Sequence, residues 1–221
     1  METSTPAVAG GRRIRGLDAD QRRAQRREQL LGAAFELFAR DGYANTSIEQ
    51  ICQTAYVGNK AFYELFESKD DCYLALMNDI GHRIEARVEE ELHHSDPGES
   101  EEATVRRVLT VFAYELVVDP RVAVVAFRES TGISPRVEAQ RRANRRWAAN
   151  FIESFWRSKA RAGESVDYRA MAVATVGGLF ELIADFLQPT DQPRSLDDLT
   201  HDLTTFVITI SNGIHLPAQA G

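Results

Sequence analysis

The fold of this 221-residue chain is indicated by one stretch, which reads TSIEQICQTA at residues 46–55, YVGNK at residues 56–60 and AFYELFESK at residues 61–69. Thr46 to Glu49 has the form of a capping box, in which a hydroxyl and a carboxylate satisfy the backbone of a first helical turn. A short helix is predicted there and a second one after Tyr56-Val57-Gly58, with Phe62 and Phe66 facing inward. Two short helices joined so tightly are typical of a helix-turn-helix, which sets its second helix into the major groove of DNA.

Helical patterns flank this stretch on both sides. Between Asp20 and Arg40, apolar residues recur at helical spacing opposite the arginines, and Gly42 is placed to end that helix in a left-handed conformation. Ser68 to Asp71 caps another helix, which should run to about Leu92. The predicted inward face of that helix carries Tyr73, Leu76, Met77, Ile80, Ile84 and Val88.

Every later segment also reads as helical, and no β-alternation of convincing length occurs. Asp119-Pro120 and Ser134-Pro135 each pair a capping residue with a proline at the first helical position, so helices should begin near 120 and 135. The other boundaries follow from capping and turn residues: Gly163 ends the helix from Pro135, Asp167 caps one that runs to Leu187, Ser195 starts the last, and Asn212-Gly213 ends it. The sequence therefore predicts an all-α fold of about nine helices.

The composition is that of a soluble globular protein, with 43% hydrophobic and 27% charged residues. The N-terminus lacks the basic start and apolar block of a secretory signal. The most apolar run, residues 171–187, is interrupted by two acidic residues and is too short to span a bilayer. We therefore expect a cytoplasmic protein with no membrane anchor.

The net charge of −7 is unevenly distributed along the chain. Residues 11–27 hold seven arginines and two aspartates, whereas residues 70–221 hold 16 Lys/Arg and 24 Asp/Glu. Polyanions attract basic surfaces. The N-terminal end, and not the chain as a whole, therefore has the charge that a nucleic-acid partner requires.

The central stretch resembles the TetR family of transcriptional regulators. The resemblance rests on residues 46–55, on Val57 and on the run from Phe62 to Lys69, and it extends over about residues 28–75. It implies an N-terminal three-helix DNA-binding domain with a helix-turn-helix, followed by a larger helical domain for ligand binding and dimerisation. We accordingly divide the chain into a flexible basic arm (1–17), the DNA-binding domain (18–67), the regulatory domain (68–216) and a tail (217–221).

The resemblance also suggests roles for individual residues. Thr46, at a helix N-terminus, suits a phosphate contact because free amides there favour anions. Tyr63 resembles the family's aromatic residue that reaches a phosphate, and Lys69 resembles its lysine at the start of the fourth helix, again a phosphate partner. The family often has glycine where this chain has Tyr56, so we expect a slightly reshaped turn. Its usual Ser-Lys/Arg-Gly entry to the second helix is here Gly58-Asn59-Lys60, so the target sequence should be this chain's own.

Base contacts are expected from the start of the second helix. Asn59 suits adenine N6 and N7, Lys60 suits guanine O6 and N7, and Ala61 suits a thymine methyl group. Glu64 either accepts from cytosine N4 or faces solvent, and we favour solvent. The arginines should add salt-sensitive contacts, from the arm to a minor groove and from the first helix to the DNA backbone. They are Arg12, Arg13 and Arg15 in the arm and Arg22, Arg23, Arg26 and Arg27 in the helix.

The regulatory half should contain an effector cavity and a dimer interface. Eight aromatic residues are candidates for the cavity wall, with ordinary core packing as the alternative for each: Phe112, Tyr114, Phe127, Trp147, Phe151, Phe155, Trp156 and Phe180. Glu181 and Asp185 lie in an apolar helix and belong to the pocket or to the dimer seam, because isolated buried carboxylates are costly. The resemblance implies that helices of about 167–187 and 195–212 pair with their symmetry mates as a four-helix bundle.

The expected function is that of a repressor that binds a palindromic operator as a homodimer and is released by an apolar or aromatic small molecule. The alternatives are a helical ligand-binding or scaffold protein without operator binding, and an all-α enzyme. No P-loop, GxSxG or HExxH motif supports an enzyme. Cys52 and Cys72 lie in apolar helical patterns without metal-ligand spacing, so we expect buried thiols, no metal site and no cofactor.

Overall fold

The computed structural model describes residues 18–94, 98–128, 132–160, 166–189, 191 and 193–214. These residues form helices and no strand, which confirms the all-α prediction. The helices are α1 (Ala19–Asp41), α2 (Ile48–Ala55), α3 (Asn59–Tyr63), α4 (Lys69–His93), α5 (Glu101–Val117), α6 (Pro120–Ala123), α7 (Pro135–Arg157), α8 (Tyr168–Phe186) and α9 (Leu196–Ile214). A π-helical turn, Val124–Arg128, continues α6. None of the described helices combines the length and apolarity needed to cross a membrane.

α1 begins and ends at residues that satisfy its open backbone groups. The Asp18 carboxylate accepts from the backbone N–H of Gln21 at 2.8 Å, and the Gln21 side chain accepts from the N–H of Asp18 at 3.0 Å. At the other end Gly42 has φ 82°, a conformation that glycine adopts without a steric penalty. The inward face of α1 buries Leu30, Leu31, Ala33, Ala34, Leu37 and Phe38.

The first three helices, which we call the head, share one apolar core. Ile51 and Cys52 of α2 and Phe62 of α3 are buried in that core together with the inward face of α1. Cys72, at the start of α4, extends the core, and both cysteines are free and buried as predicted. Burial raises the pKa of the Cys72 thiol to about 12. Both thiols therefore pack as small apolar groups.

α4 connects the head to the remaining helices, α5 to α9, which we call the body. It begins at Ser68, whose hydroxyl accepts from the backbone N–H of Asp71 at 3.1 Å. The predicted inward face of α4, from Tyr73 to Val88, is buried. α4 contacts α1 of the head and both α5 and α7 of the body. A displacement of α4 against the body would therefore move the head.

The body is built from two helix pairs, α5 with α9 and α7 with α8. α8 and α9 also touch, and Gly178 of α8 faces the ring of Phe206 of α9. A Cβ atom at Gly178 would lie 2.7 Å from Cε1 of Phe206, which is an overlap. The predicted caps hold, because Asp167 accepts from the N–H of Ala170 at 3.1 Å and Ser195 from the N–H of Asp198 at 3.1 Å.

Two predicted helix ends are wrong, and the helix predicted near residue 120 is short. α7 ends at Arg157, well before Gly163, which lies outside the described residues. The hydroxyl of Ser158 donates to the carbonyl of Phe155 at 2.7 Å, and such a local bond competes with a further helical turn. α9 continues through Asn212-Gly213 to Ile214 because Ile214 is buried against the body. The helix after Asp119 has only four α-helical residues before its π-turn.

Candidate nucleic-acid interface

α2 begins one residue later than the sequence suggested. The hydroxyl of Ser47 accepts from the backbone N–H of Gln50 at 3.2 Å, and the Gln50 side chain accepts from the N–H of Ser47 at 2.7 Å. The capping box is therefore Ser47 and Gln50, and its prediction at Thr46 and Glu49 is wrong. Thr46 is only 2% exposed, and its hydroxyl donates to the carbonyl of Gly42 at 2.9 Å. This internal bond removes the Thr46 side chain from the surface on which a phosphate contact was predicted.

The turn between α2 and α3 keeps a left-handed residue although that residue is not glycine. Tyr56 has φ 55° and ψ 37°. Its backbone N–H donates to the carbonyl of Gln53 at 3.2 Å, and the N–H of Val57 donates to that of Cys52 at 3.0 Å. These two bonds form a Schellman motif, which satisfies the last carbonyls of α2. The expectation of a reshaped turn is wrong, because the motif holds Tyr56 in the strained conformation.

α3 presents one exposed face beside this turn. Gly58, Asn59 and Lys60 are exposed at its N-terminal end, and the Tyr63 side chain is 59% exposed. Phe62 and Phe66 are buried as predicted, Ala61 is half-buried, and Glu64 is exposed, which both alternatives for this residue require. The Tyr63 ring packs edge-on against Phe62 with centroids 5.5 Å apart. The base-reading residues predicted for α3 therefore lie on the surface, on a short helix fixed by its core aromatics.

Arginines of α1 form the basic border of this face. Arg22, Arg23 and Arg26 line a shallow groove that also includes Ala61 and Glu64. Arg23 fastens α1 to α3, because its guanidinium donates to the backbone carbonyl of Glu64 at 3.2 Å.

Arg26 borders the surface formed by Tyr56, Gly58 and Lys60. Tyr56 is 96% exposed here, and sequence reasoning treated it only as a turn residue. No local pattern indicates that Tyr56 and Lys60 line the same surface. Arg12, Arg13 and Arg15, predicted to enter a minor groove, lie outside the described residues.

Two basic residues have structural partners instead of an open surface. Arg27 pairs with Asp79 of α4 through contacts of 3.1 and 3.3 Å. Lys69, predicted to bind phosphate, donates to the backbone carbonyls of Tyr43 and Thr46, each at 2.7 Å. Its ammonium also lies 4.1 Å from the centroid of the Tyr43 ring, and burial lowers its pKa. The structure thus gives Lys69 a bracing role between α4 and the loop before α2.

The same junction extends from the head into the body. The Tyr43 hydroxyl donates to the carboxylate of Asp70, and this bond lowers the pKa of Asp70. The next residue, Asp71, accepts from Arg136 of α7 at 2.9 Å. The start of α4 is therefore tied on one side to the head and on the other to α7.

The body contains two adjoining cavities. The first, of about 80 Å³, is apolar, and five of the predicted aromatics line it: Phe112, Trp147, Phe151, Phe155 and Trp156. The second, of about 60 Å³, is lined by Phe180 and again by Phe112 and Trp147. Trp156 is fully buried on the wall of the first cavity. Tyr114 is 47% exposed and lines neither cavity, so its prediction is wrong. The side chain of Phe127 lies outside the described part of the chain.

Glu181 and Asp185 do not belong to these cavities. Both are exposed on the outer face of α8, and neither lines a cavity described above. Asp185 lies 3.7 Å from the guanidinium of Arg194. The pocket alternative is therefore wrong for these two carboxylates, because their spacing places them on the helix face that points away from the core. Their place in a dimer seam stays a prediction.

Comparison with known proteins links this geometry to a family. The family model of bacterial regulatory proteins, tetR family, matches residues 30–76. The HTH-type transcriptional regulator TcmR of Streptomyces glaucescens is 32% identical over 109 residues, which cover 49% of this chain and 47% of that protein. The regulator HbdR of Aromatoleum sp. (strain CIB) is 27% identical over 164 residues, covering 74% of this chain and 63% of that protein.

The chain thus spans less than two thirds of the length of these two curated relatives. A solved structure extends the likeness to the body. The TetR-like transcriptional regulator from Rhodococcus sp. RHA1 has a TM-score of 0.66 and 22% identity, covering 85% of this chain and 96% of that one. At that identity the likeness concerns the fold, which both head and body share with it.

Proposed function

Because the chain belongs to the TetR family of bacterial transcriptional regulators, whose members are not enzymes, we propose that it binds operator DNA as a homodimer and is released by a small molecule. The observation that carries the proposal is the exposed face of α3. Asn59, Lys60 and Tyr63 stand on this face, bordered by Arg22 and Arg26 of α1. A helix-turn-helix places such a second helix in the major groove, where its N-terminal residues contact base edges.

The residues of this face divide into readers and anchors. Asn59 and Lys60 read base edges, and Ala61 touches a thymine methyl group. Each well-formed bidentate contact discriminates by about 1 to 3 kcal/mol. Tyr63 and the exposed arginines of α1 contact phosphates, which contribute affinity without sequence information. Arg12, Arg13 and Arg15 enter an adjacent minor groove, and their contacts make the affinity for DNA more sensitive to salt.

The dimer forms through α8 and α9. α8 leaves Val173, Ala174 and Gly177 exposed at helical spacing, a stripe of small side chains that permits close approach of a second helix. Glu181 lies one turn further along the same face, at the dimer seam. In an isologous interface of this kind the same surface of both subunits is in contact, so a twofold axis relates the two heads. Two α3 helices then read half-sites about one DNA turn apart.

Release acts through α4. The cavities lie between α4 on one side and α5, α7 and α8 on the other, and sites for small molecules usually measure about 300 to 1,000 Å³. A ligand larger than the present cavities must separate α4 from α7. The head follows α4 through the Lys69 brace and the Arg27–Asp79 pair. Repression is relieved if the ligand prefers the state in which the two heads no longer fit the operator.

Selection of bound duplexes from a random pool tests this function. We expect enrichment of an inverted repeat whose half-sites lie about one turn apart, with affinity that falls steeply as salt rises. An enriched sequence without twofold symmetry would contradict the dimer. A pool that shows no enrichment at moderate salt would contradict operator binding and favour a helical ligand-binding or scaffold protein.

A further inference from the structure

The second cavity has a polar end formed by α7. Arg141, Asn144 and Arg145 line it from this helix, and Glu85 lines it from α4. Arg142 and Arg146, the other arginines of this run, are exposed to solvent. The run therefore divides into a solvated pair and a pair that faces the interior.

The two interior arginines differ in their partners. Arg141 is held by Glu138, whose carboxylate accepts from Nε at 3.2 Å and from a terminal nitrogen at 2.8 Å. Arg145 forms no hydrogen bond or ion pair with any residue that the structure describes, and Glu85 is more than 4.0 Å away from its guanidinium. The guanidinium lies 4.7 Å over the Phe180 ring, and burial lowers its pKa. Glu138 raises the pKa of Arg145 by its charge but is hydrogen-bonded to Arg141. A partly buried cation without a hydrogen-bonded anion is costly, so this charge calls for a partner.

Asn144 stands one residue away and adds a donor. Its side-chain oxygen accepts from Gln140 at 2.8 Å, which leaves the amide nitrogen available. That nitrogen would lie 3.3 Å from a Cβ atom at Gly81, so the absence of a side chain on α4 keeps space beside it. A guanidinium fork next to an amide donor matches the two oxygens of a carboxylate.

The polar end of the second cavity adjoins the apolar cavity. Phe112, Trp147 and Ala148 line both cavities and form their common wall. Beyond that wall the first cavity is lined almost entirely by aliphatic and aromatic side chains. The indole N–H of Trp156 is buried there without an acceptor among the described residues. The two cavities together thus offer a cationic end and an apolar body.

We propose that the effector is an apolar organic acid whose carboxylate binds Arg145 and Asn144 and whose alkyl or aromatic body fills the cavity beyond Phe112 and Trp147. Its role as an effector rests on the proposed function, whereas its binding to the body does not. Arg141 and Arg145 select against organic cations by repulsion, and a neutral analogue would leave the Arg145 charge unpaired.

Tryptophan fluorescence measures this binding without DNA, because both tryptophans of the chain, Trp147 and Trp156, line the cavity. The probes are phenylbutanoate with its neutral amide, and decanoate with decanol. We expect each acid to change the emission with an affinity about ten- to hundredfold higher than that of its neutral partner, the range for hydrogen bonds to charged groups. Equal affinities within both pairs, or no response to either acid at millimolar concentration, would overturn the proposal.

Arg145→Gln removes the fork, and Arg142→Gln is the matched control on the exposed side of the same helix. The Arg145 variant should lose the preference for acids and keep its affinity for the neutral probes, while the Arg142 variant retains the preference. Arg145→Lys should recover only part of it, because an ammonium lacks the planar fork. Arg145→Gln should also be no less stable to heat than Arg142→Gln, and a lower stability would identify Arg145 as a structural residue and overturn its role in binding.

The same samples separate this inference from the proposed function. An acid that binds through Arg145 and leaves operator affinity unchanged contradicts release by this ligand but keeps the site. Operator binding that survives together with equal affinity for acids and neutral analogues contradicts the site and keeps the regulator.

Discussion

Replacing Tyr56 with glycine should stabilise the protein, because Tyr56 is the one non-glycine residue of the described chain with positive φ. A left-handed conformation costs an L-residue about 1 to 2 kcal/mol. The Tyr56 side chain is 96% exposed, so its removal sacrifices almost no buried apolar surface. Glycine in turn lowers stability by about 0.4 to 1 kcal/mol through the greater freedom of the unfolded chain. We expect Tyr56→Gly to raise the free energy of unfolding by about 0.5 to 1 kcal/mol.

Urea denaturation at a fixed protein concentration measures this difference, since the stability of a dimer depends on concentration. The midpoint should rise with an unchanged m-value, and the melting temperature should rise by about 1 to 4 °C for a chain of this size. Tyr56→Ala is the matched control, because it removes the ring and keeps the left-handed strain. A Tyr56→Gly variant that is no more stable than Tyr56→Ala would refute the argument from strain.

Three further substitutions test the helix packing and the hydrogen bond between Tyr43 and Asp70. Gly178→Ala should destabilise the protein by about 1 to 3 kcal/mol, because the new Cβ overlaps the Phe206 ring. Gly32→Ala is the matched control: its Cβ has open space around it, so it should stabilise the exposed part of its helix by up to about 1 kcal/mol. Thermal melts that rank these variants in the opposite order would contradict the packing described. The hydrogen bond from Tyr43 lowers the pKa of Asp70, so its stabilisation is complete above the ordinary aspartate pKa of about 3.9 and is lost as pH falls through the lowered value. Asp70→Asn should therefore be less stable than the parent at pH 7, and this difference should shrink as the pH falls through the lowered pKa of Asp70 in urea titrations. A difference that stays constant as the pH falls would show that the carboxylate charge is not involved.

Capping residues and apolar spacing predicted most of the fold because they act over a few residues. Ser68 and Asp167 cap the helices at which the sequence placed them. Thr46 and Ser47 show the limit of such reasoning. Each is a hydroxyl residue with a glutamate or glutamine three positions later, so the local pattern fits both. The bond from Thr46 to the carbonyl of Gly42 decides between them, and it depends on the path of the preceding turn.

Sequence reasoning misplaced Lys69 and did not consider Arg145, and the positions of both depend on contacts between distant segments. Lys69 is drawn inward by carbonyls 23 and 26 residues earlier in the chain, which no local pattern encodes. Arg145 lies within a run of arginines that reads as a solvated face. Ala148 and Ile152 follow Arg145 by three and seven positions, a spacing that puts all three on one helix face. This spacing could have indicated that Arg145 points inward.

The central claim is that α3 reads bases while α1 only anchors the protein on the backbone, and paired affinities of Lys60→Ala and Arg22→Ala measure it most directly. Each variant is titrated with the selected operator and with an unrelated duplex at two salt concentrations. We expect Lys60→Ala to lose about 1 to 3 kcal/mol on the operator and little on the unrelated duplex, and Arg22→Ala to weaken both equally with a shallower salt dependence. Equal losses on both duplexes for Lys60→Ala would contradict base reading by α3.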